Sequence, residues 1–440
     1  MISGDILIPS GSTLSIEPGT ELRFSENCSI ICQGNLYAEG SPGDSVLFCS
    51  NIENKPWGGI MLSGGEAEFS YAVFSGSDGF STESQYRACI ESVNADLIFE
   101  SCLFRNNHGC LHLSEGSVSM NNCDLTGWNS AELFFMNEGE SATIQNSSFG
   151  NMINPPSSHH DGVEFQNCLA GEYLVKNCDI FNIDGDAFDS NSSSVILEGN
   201  RIWNISDKGF SIGIGAAGSQ ISEVELTGNI ISGCYTGIAI KDDSYAEITG
   251  CTVSGCDIGV RAYMKTPGSG GGNAAVVNSL FDANSTVFSI EDDSDVTVNY
   301  CLTGSSEPWT GEGNIAGDPD FAGWGPLDRH LSYTSPCIDA GSPLMEDPDG
   351  TRSDMGALFF PQIFDGLVIN EIQSVNDTTV ADGYGEYNDW FEIYNGSGYD
   401  CDLSWLYVSD DPSDLARYQF PAGTMIPSGG FLVVWADCHP

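Results

Sequence analysis

Residues 204–213, NISDKGFSIG, set Asp207 and Lys208 side by side between two short apolar runs. The chain has only 13 lysines and arginines against 62 aspartates and glutamates. Five of those cations, Arg201, Lys208, Lys241, Arg261 and Lys265, fall within 65 residues. Asp184, Asp186, Asp189, Asp242 and Asp243 accompany them, with His159, His160 and Asp161 just ahead. These residue types can work on sugars in two ways. A lysine or arginine among carboxylates can abstract the C5 proton of a uronate while a cation held by acids neutralises its carboxylate. Two carboxylates facing one groove can instead hydrolyse a glycosidic bond. The candidate catalytic residues are Asp189, Asp207, Lys208, Lys241 and Arg261, and the candidate ligand contacts are His160, Glu164, Asn191 and Tyr263. A structural reading competes with both. The cations then neutralise a face on which like charges stacked in register repel, and the Asp207–Lys208 pair only orders a turn.

The elements that position these residues repeat. FESCLF, MNNCDL, QNSSF, VKNCDI, LEGNRI, LTGNII, ITGCTV and VVNSLF share one pattern: apolar, two residues, Cys, Asn or Ser, one residue, apolar. The column runs Cys102, Cys123, Ser147, Cys178, Asn200, Asn229, Cys251, Ser279, at spacings of 21 to 31 residues, and Ala72 begins it. Such a period with β-type alternation means a solenoid whose coils stack on one another, and no helical periodicity runs through it. Small side chains suit a tight inward corner, so the column is structural, with Cys102, Cys123, Cys178 and Cys251 pointing inward as small hydrophobes. Cys234 and Cys256 fall at equal offsets in neighbouring coils and can stack likewise. Alternation along the following strands puts Glu164, Asp189, Ser211, Ala239 and Arg261 in one outward column. Gln166, Asn191, Gly213, Lys241 and Tyr263 form the next.

The opening GSTLSIEPGTELRF, then GNLYAEGSPGDSVLF and WGGI, resembles the first coils of secreted bacterial and archaeal β-helix proteins of the pectin-lyase-like superfold. GDPDF, SPCIDAGSP and DPDGTRSDMGA resemble the segment that closes many such helices. DAFDS, ISDKGFSIG and GIAIKDDS are similar to a signature found in a subset of them, although Ile214 stands where relatives tend to carry an acid. The resemblance implies a right-handed parallel β-helix over 1–360, a fold that hosts lyases, hydrolases, adhesins and inert stalks. After FFPQIFDG the composition changes to short alternating strands between Gly, Asn, Asp and Pro turns, which predict a small β-sandwich over 366–440. That segment resembles a lamin-tail domain, an immunoglobulin-like module. Asn370-Glu371, Asp389-Trp390, Glu392, Tyr394-Asn395 and the turn Pro427 to Gly430 carry the match, which implies a binding or spacing accessory. Cys401 and Cys438 are candidates to pair within it.

A formal charge of -49 excludes nucleic acid and anionic membranes as partners, because phosphate binding needs Lys/Arg patches. No apolar window is long enough to cross a membrane. The start lacks the pattern of a signal peptide, and the chain reads as an excised or truncated segment of a larger extracellular or cell-surface protein with neighbouring domains. An acidic polymer is repelled by such a surface unless calcium bridges it or salt screens it, which favours neutral glycans. Asp347, Asp349 and Asp354 in DPDGTRSD form a candidate calcium site in spacing, although the closing Glu of an EF-hand is absent. His108 and His112 lack further zinc ligands and read as structural. Phosphate loops, nucleophile elbows and zinc spacings are missing. The leading expectation is adhesion, scaffolding or carbohydrate binding, with a polysaccharide lyase or glycoside hydrolase using residues 159–265 as the alternative.

Overall fold

The structure, a computed structural model, describes residues 1–440 except 53–54, 81–86, 127–131, 152–159, 217–218, 292, 324–326, 405 and 437–440. It divides into two compact units, Met1–Asp318 and Pro319–Pro440. The first is a parallel β-helix. Each regular coil gives one strand to each of three faces, and every strand pairs in parallel with its counterpart one coil on. The second face is a 12-stranded sheet. The first and third faces merge into a 23-stranded sheet, because Arg201–Gly213 and Ile230–Lys241 run through the corner between them without a break.

Alternation fills the interior. Inward residues of all three faces stack into continuous rows, including Phe48 on Phe74 at 4.9 Å, Phe74 on Phe104 at 4.6 Å and Phe69 on Phe99 at 5.2 Å between ring centroids. Such pairs add to the area they bury. Single coils bury too little surface to persist alone, so stability is shared between neighbours.

The corner between the second and third faces carries the polar ladder. At most rungs the ladder side chain accepts the backbone N–H of the ladder residue one coil earlier: Cys123 N–H meets Ser147 Oγ at 3.1 Å, Cys178 N–H meets Asn200 Oδ1 at 2.9 Å, and Asn200 N–H meets Asn229 Oδ1 at 2.9 Å. These bonds satisfy amides that the bend takes out of the sheet. The ladder runs past Ser279 to Cys301 and Asn314. Cys102, Cys123, Cys178 and Cys251 are all buried. The residue before each ladder position turns the corner in the left-handed region. Ser101, Asn122, Asn146, Asn177, Asn278 and Tyr300 have φ of 50–55°, and Gly199, Gly228 and Gly250 take the same role. Asn and Gly tolerate that conformation best, which is why the motif reads Asn-Cys, Asn-Ser or Gly-Asn. All 15 described cysteines are free. Cys438 lies outside the described residues, so its pairing with Cys401 does too.

The second unit contains the antiparallel sheet Leu367–Gln373, Trp390–Asn395 and Phe431–Trp435, with two further strand pairs. Its core gathers Ile393, Cys401, Leu403, Phe420 and Ile426. Buried Asn395 ties the sheet to the next turn by donating to Tyr399 O and Ile426 O, both at 2.8 Å. The last stacking strand of the helix is Ile315–Ala316. Residues 319–360, expected with the β-helix, group with the second unit.

Candidate functional site

The corner between the third and first faces brings the charged residues together. Two positions before the first core residue of each first-face strand lie Glu132, Asp161, Asp186 and Lys208 in successive coils; the pairings Phe134↔Val163↔Phe188↔Phe210 fix this register. Asp161 Oδ1 accepts the N–H of Asp186 at 2.7 Å, and Asp186 Oδ1 accepts the N–H of Lys208 at 3.1 Å. Stacked carboxylates about 4.8 Å apart repel, and Lys208 relieves one of them. Its ammonium lies 3.0 Å from Asp186 Oδ1 and 2.6 Å from Asp207 Oδ2.

The outward columns lie where the alternation put them: Glu164↔Asp189↔Ser211↔Ala239↔Arg261, and beside them Gln166↔Asn191↔Gly213 and Lys241↔Tyr263. Asn191 Nδ2 bridges Glu164 Oε1 at 3.0 Å and Asp189 Oδ2 at 2.7 Å. The other oxygen of Asp189, Oδ1, is shielded from water and has no hydrogen-bond partner. Lys241 is 3% exposed and donates to Ser211 Oγ at 2.7 Å. It lies across Gly213, where a Cβ would come within 2.8 Å of Lys241 Cε, so only glycine leaves it that path. Carboxylate oxygens of Asp161, Asp186 and Asp189 all lie within 4.8 Å of one another.

This crowding governs the charges. Burial first, then Asp189 across the coil, push the Glu164 carboxyl up to about 8. Burial and the neighbouring acids raise Asp161 and Asp186, more than Lys208 lowers the latter. Burial works against the Lys208 ammonium, but Asp186 and Asp207 outweigh it and hold the group above its ordinary value.

Of the residues singled out from sequence, Asp189, Asp207, Lys208, Lys241, Glu164 and Asn191 gather here. His160 stands at the edge, its Nδ1 3.6 Å from Glu132 Oε1. Arg261 is drawn away: its guanidinium pairs with Glu291 at 2.7 Å and covers the Tyr263 ring at 4.3 Å. His159 lies outside the described residues. In the second unit the carboxylates of Asp347, Asp349 and Asp354 are spent on backbone amides: Asp354 N–H on Asp347, Thr351, Gln362 and Ile363 N–H on Asp349, and Asp339 and Phe360 N–H on Asp354. Asp161 and Asp186, noted as neighbours but not as members of the site, are central to it. Glu132 was missed, and Ser211 was placed in the outward column without being counted in the site. Extending the strand alignment two residues upstream would have found the Glu132-Asp161-Asp186-Lys208 column.

Fold and site together define a parallel β-helix carrying a carboxylate–lysine cluster on its first face. Residues 100–320, half of the chain, match the model of the periplasmic copper-binding protein (NosD) family, and the chain belongs to that family. Residues 364–439 match the lamin tail domain. No curated protein matches the chain. Among solved structures, a point mutant of the periplasmic alginate epimerase AlgG is similar in fold at 12% identity, over 67% of this chain and 75% of that one, with a TM-score of 0.51. The pectate lyase Pel9A aligns at 14% identity over 81% and 87% of the two chains, TM-score 0.37. A tailspike of E. coli bacteriophage HK620 aligns at 14% over 73% and 62%, TM-score 0.35.

The donors present do not fit copper. Among the described residues the group of three or more clustered ligands is Asp161, Asp186 and Asp189, all hard oxygens, whereas copper(I) selects thiolate and thioether and copper(II) suits imidazole. The ladder thiols are buried and turned to backbone carbonyls, as Cys178 Sγ is to Lys176 O at 3.3 Å. Burial pushes Cys178 up to about 12 and Cys251 up to about 11.

Proposed function

We propose that this chain is an exported, periplasmic or extracellular, carbohydrate-acting protein, and that its first face around Asp186 and Lys208 binds a polysaccharide and performs proton transfer on uronate units. The observation that carries this reading is the convergence of Asp161, Asp186, Asp189 and Lys208 on one partly buried spot. Burying like charges costs stability and is weak as a device for gaining it, and perturbed groups of this kind concentrate at functional sites. Lys208, held charged by two carboxylates, supplies a fixed positive charge for a substrate carboxylate. Lys241 is held by a hydroxyl rather than an acid and is the lysine available to exchange a proton. Glu164, protonated at neutral pH by its raised value of about 8, can donate one.

A second reading, binding without turnover, draws support from the amide-capping bonds of Asp161 and Asp186, which give both acids a structural task. The test is product analysis on polyuronates and neutral glycans, following unsaturated products and solvent deuterium at C5. Lys241→Met should abolish turnover while leaving the melting temperature close to that of the parent. Binding without any product selects the second reading, and no interaction with any glycan rejects both.

A further inference from the structure

The cluster has a vacancy in its bonding that its protein partners do not fill. Asp189 Oδ1 is shielded from water without a hydrogen-bond partner, although a buried acceptor left unmade costs free energy. Neither Asp161 nor Asp189 has an ion pair among the described residues, and Lys208 reaches only Asp186 of the three. Oxygens no more than 4.8 Å apart fit within the diameter of a calcium coordination sphere, whose ligands stand about 2.3–2.6 Å from the ion. Magnesium keeps several waters and is seldom held by an all-protein set of acids.

We propose that Asp161, Asp186 and Asp189 together bind one hard divalent cation of calcium size, and that this cation, not copper, is the metal of this family member. The donors come from two successive coils. Asp161 and Asp186 descend from the corner column, and Asp189 from the strand that Asp186 leads into. An ion there takes up the unpaired Asp189 oxygen and offsets the repulsion between the stacked acids. It also resolves the charge problem of the substrate class. A polyuronate approaching a chain of formal charge -49 meets a local positive centre beside Lys208 instead of bare carboxylates. This last step rests on the function proposed above; the cation site does not.

The experiment is a calorimetric calcium titration of the full chain, freed of metal by chelation, in about 0.15 M salt to screen the general acidic surface. No glycan is present, so the outcome is independent of the carbohydrate reading. One saturable site per chain is expected. It should weaken at least about tenfold in Asp189→Asn and in Asp161→Asn, and stay unchanged in Asp347→Asn. Copper(I), added anaerobically, should leave bound calcium in place. Should Asp189→Asn fail to fold, Asp161→Asn decides, since an asparagine there can still accept the Asp186 amide. Equal calcium affinity in the folded Asp161 and Asp189 variants and the parent, loss of the site in Asp347→Asn, or displacement of calcium by copper(I) would each overturn the proposal.

Discussion

Replacing Lys208 with methionine keeps the length and apolar stem of the side chain but removes the charge that faces Asp186 and Asp207. In a solvated turn such a pair is worth less than about 1 kcal/mol. Here the Lys208 and Asp186 side chains are only 18% and 9% exposed, and removing one partner of a buried pair costs about 3–5 kcal/mol. Asp186 limits the damage by taking up a proton, at about 1.4 kcal/mol for each pH unit its carboxyl must be raised. The expected loss at neutral pH is about 2–4 kcal/mol, or roughly 3–6 °C in Tm for a unit of this size. The pH dependence follows from the sign of the shift. Asp186 is already raised in the folded state, mainly by burial, and losing Lys208 raises it further. Protonation removes the uncompensated charge, so the gap between variant and parent should narrow as pH falls from about 7 towards about 4. Thermal unfolding across that range is the assay, with Asp186→Asn/Lys208→Met as the partner variant. The double variant should regain much of the loss, because no buried charge is left alone. A loss under about 1 kcal/mol that does not change with pH would refute the buried-pair account and return Asp207–Lys208 to the role of a turn.

Glu164 keeps its proton to about 8 when folded but releases it near 4.3 when unfolded; its contribution should therefore fall as pH rises between those values, and Glu164→Gln should flatten the stability profile over that window in urea titrations. Ser211→Ala removes the acceptor of the buried Lys241 ammonium and should cost about 1–3 kcal/mol, recovered in part by Lys241→Met in the same chain. Asn200→Ala breaks two rungs of the ladder, since Asn200 Oδ1 accepts from Cys178 and its Nδ2 donates to Val175 O; a loss of about 2–4 kcal/mol by denaturant unfolding is expected, and a change under about 0.5 kcal/mol would mean that water replaces the rungs.

What could be read from sequence was what repeats. The ladder was legible because a corner admits few side chains, and eight coils impose the same restriction on Cys102 through Ser279. Its end was not, because Asn314 follows Cys301 after a short turn that breaks the spacing. The outward columns through Asp189 and Lys241 followed from strand alternation alone. The corner column was harder: Asp161 and Asp186 precede the strands, where no period-two rule applies, so it shows only when the strand alignment is carried two residues upstream, and its stacking through the amides of Asp186 and Lys208 is a matter of structure. Arg261 has the right column and the wrong partner, since Glu291 one coil later captures it. At 347–354, carboxylate spacing suggests a cation loop, but local amides reach the same oxygens first, a competition that favours turns. The division after Asp318 has no mark in the sequence, because residues 319–360 are rich in the same Gly, Asp and Pro turns as the coils, yet among the described residues they supply no stacking strand.

The cysteine columns set a race between two reactions. Thirteen of the described thiols are shut inside the folded chain, where lack of access makes them inert. Before the coils close, the same thiols are open to oxidation, with Cys102 and Cys123 separated by only 21 residues. A bond formed then would link positions that the finished coil keeps as free thiols. In an oxidising compartment, the order of events therefore decides the yield: stacking must overtake oxidation, and refolding should succeed with a reductant present and stall when an oxidant is added first. The small inward corner that makes the helix compact also gives its assembly a deadline.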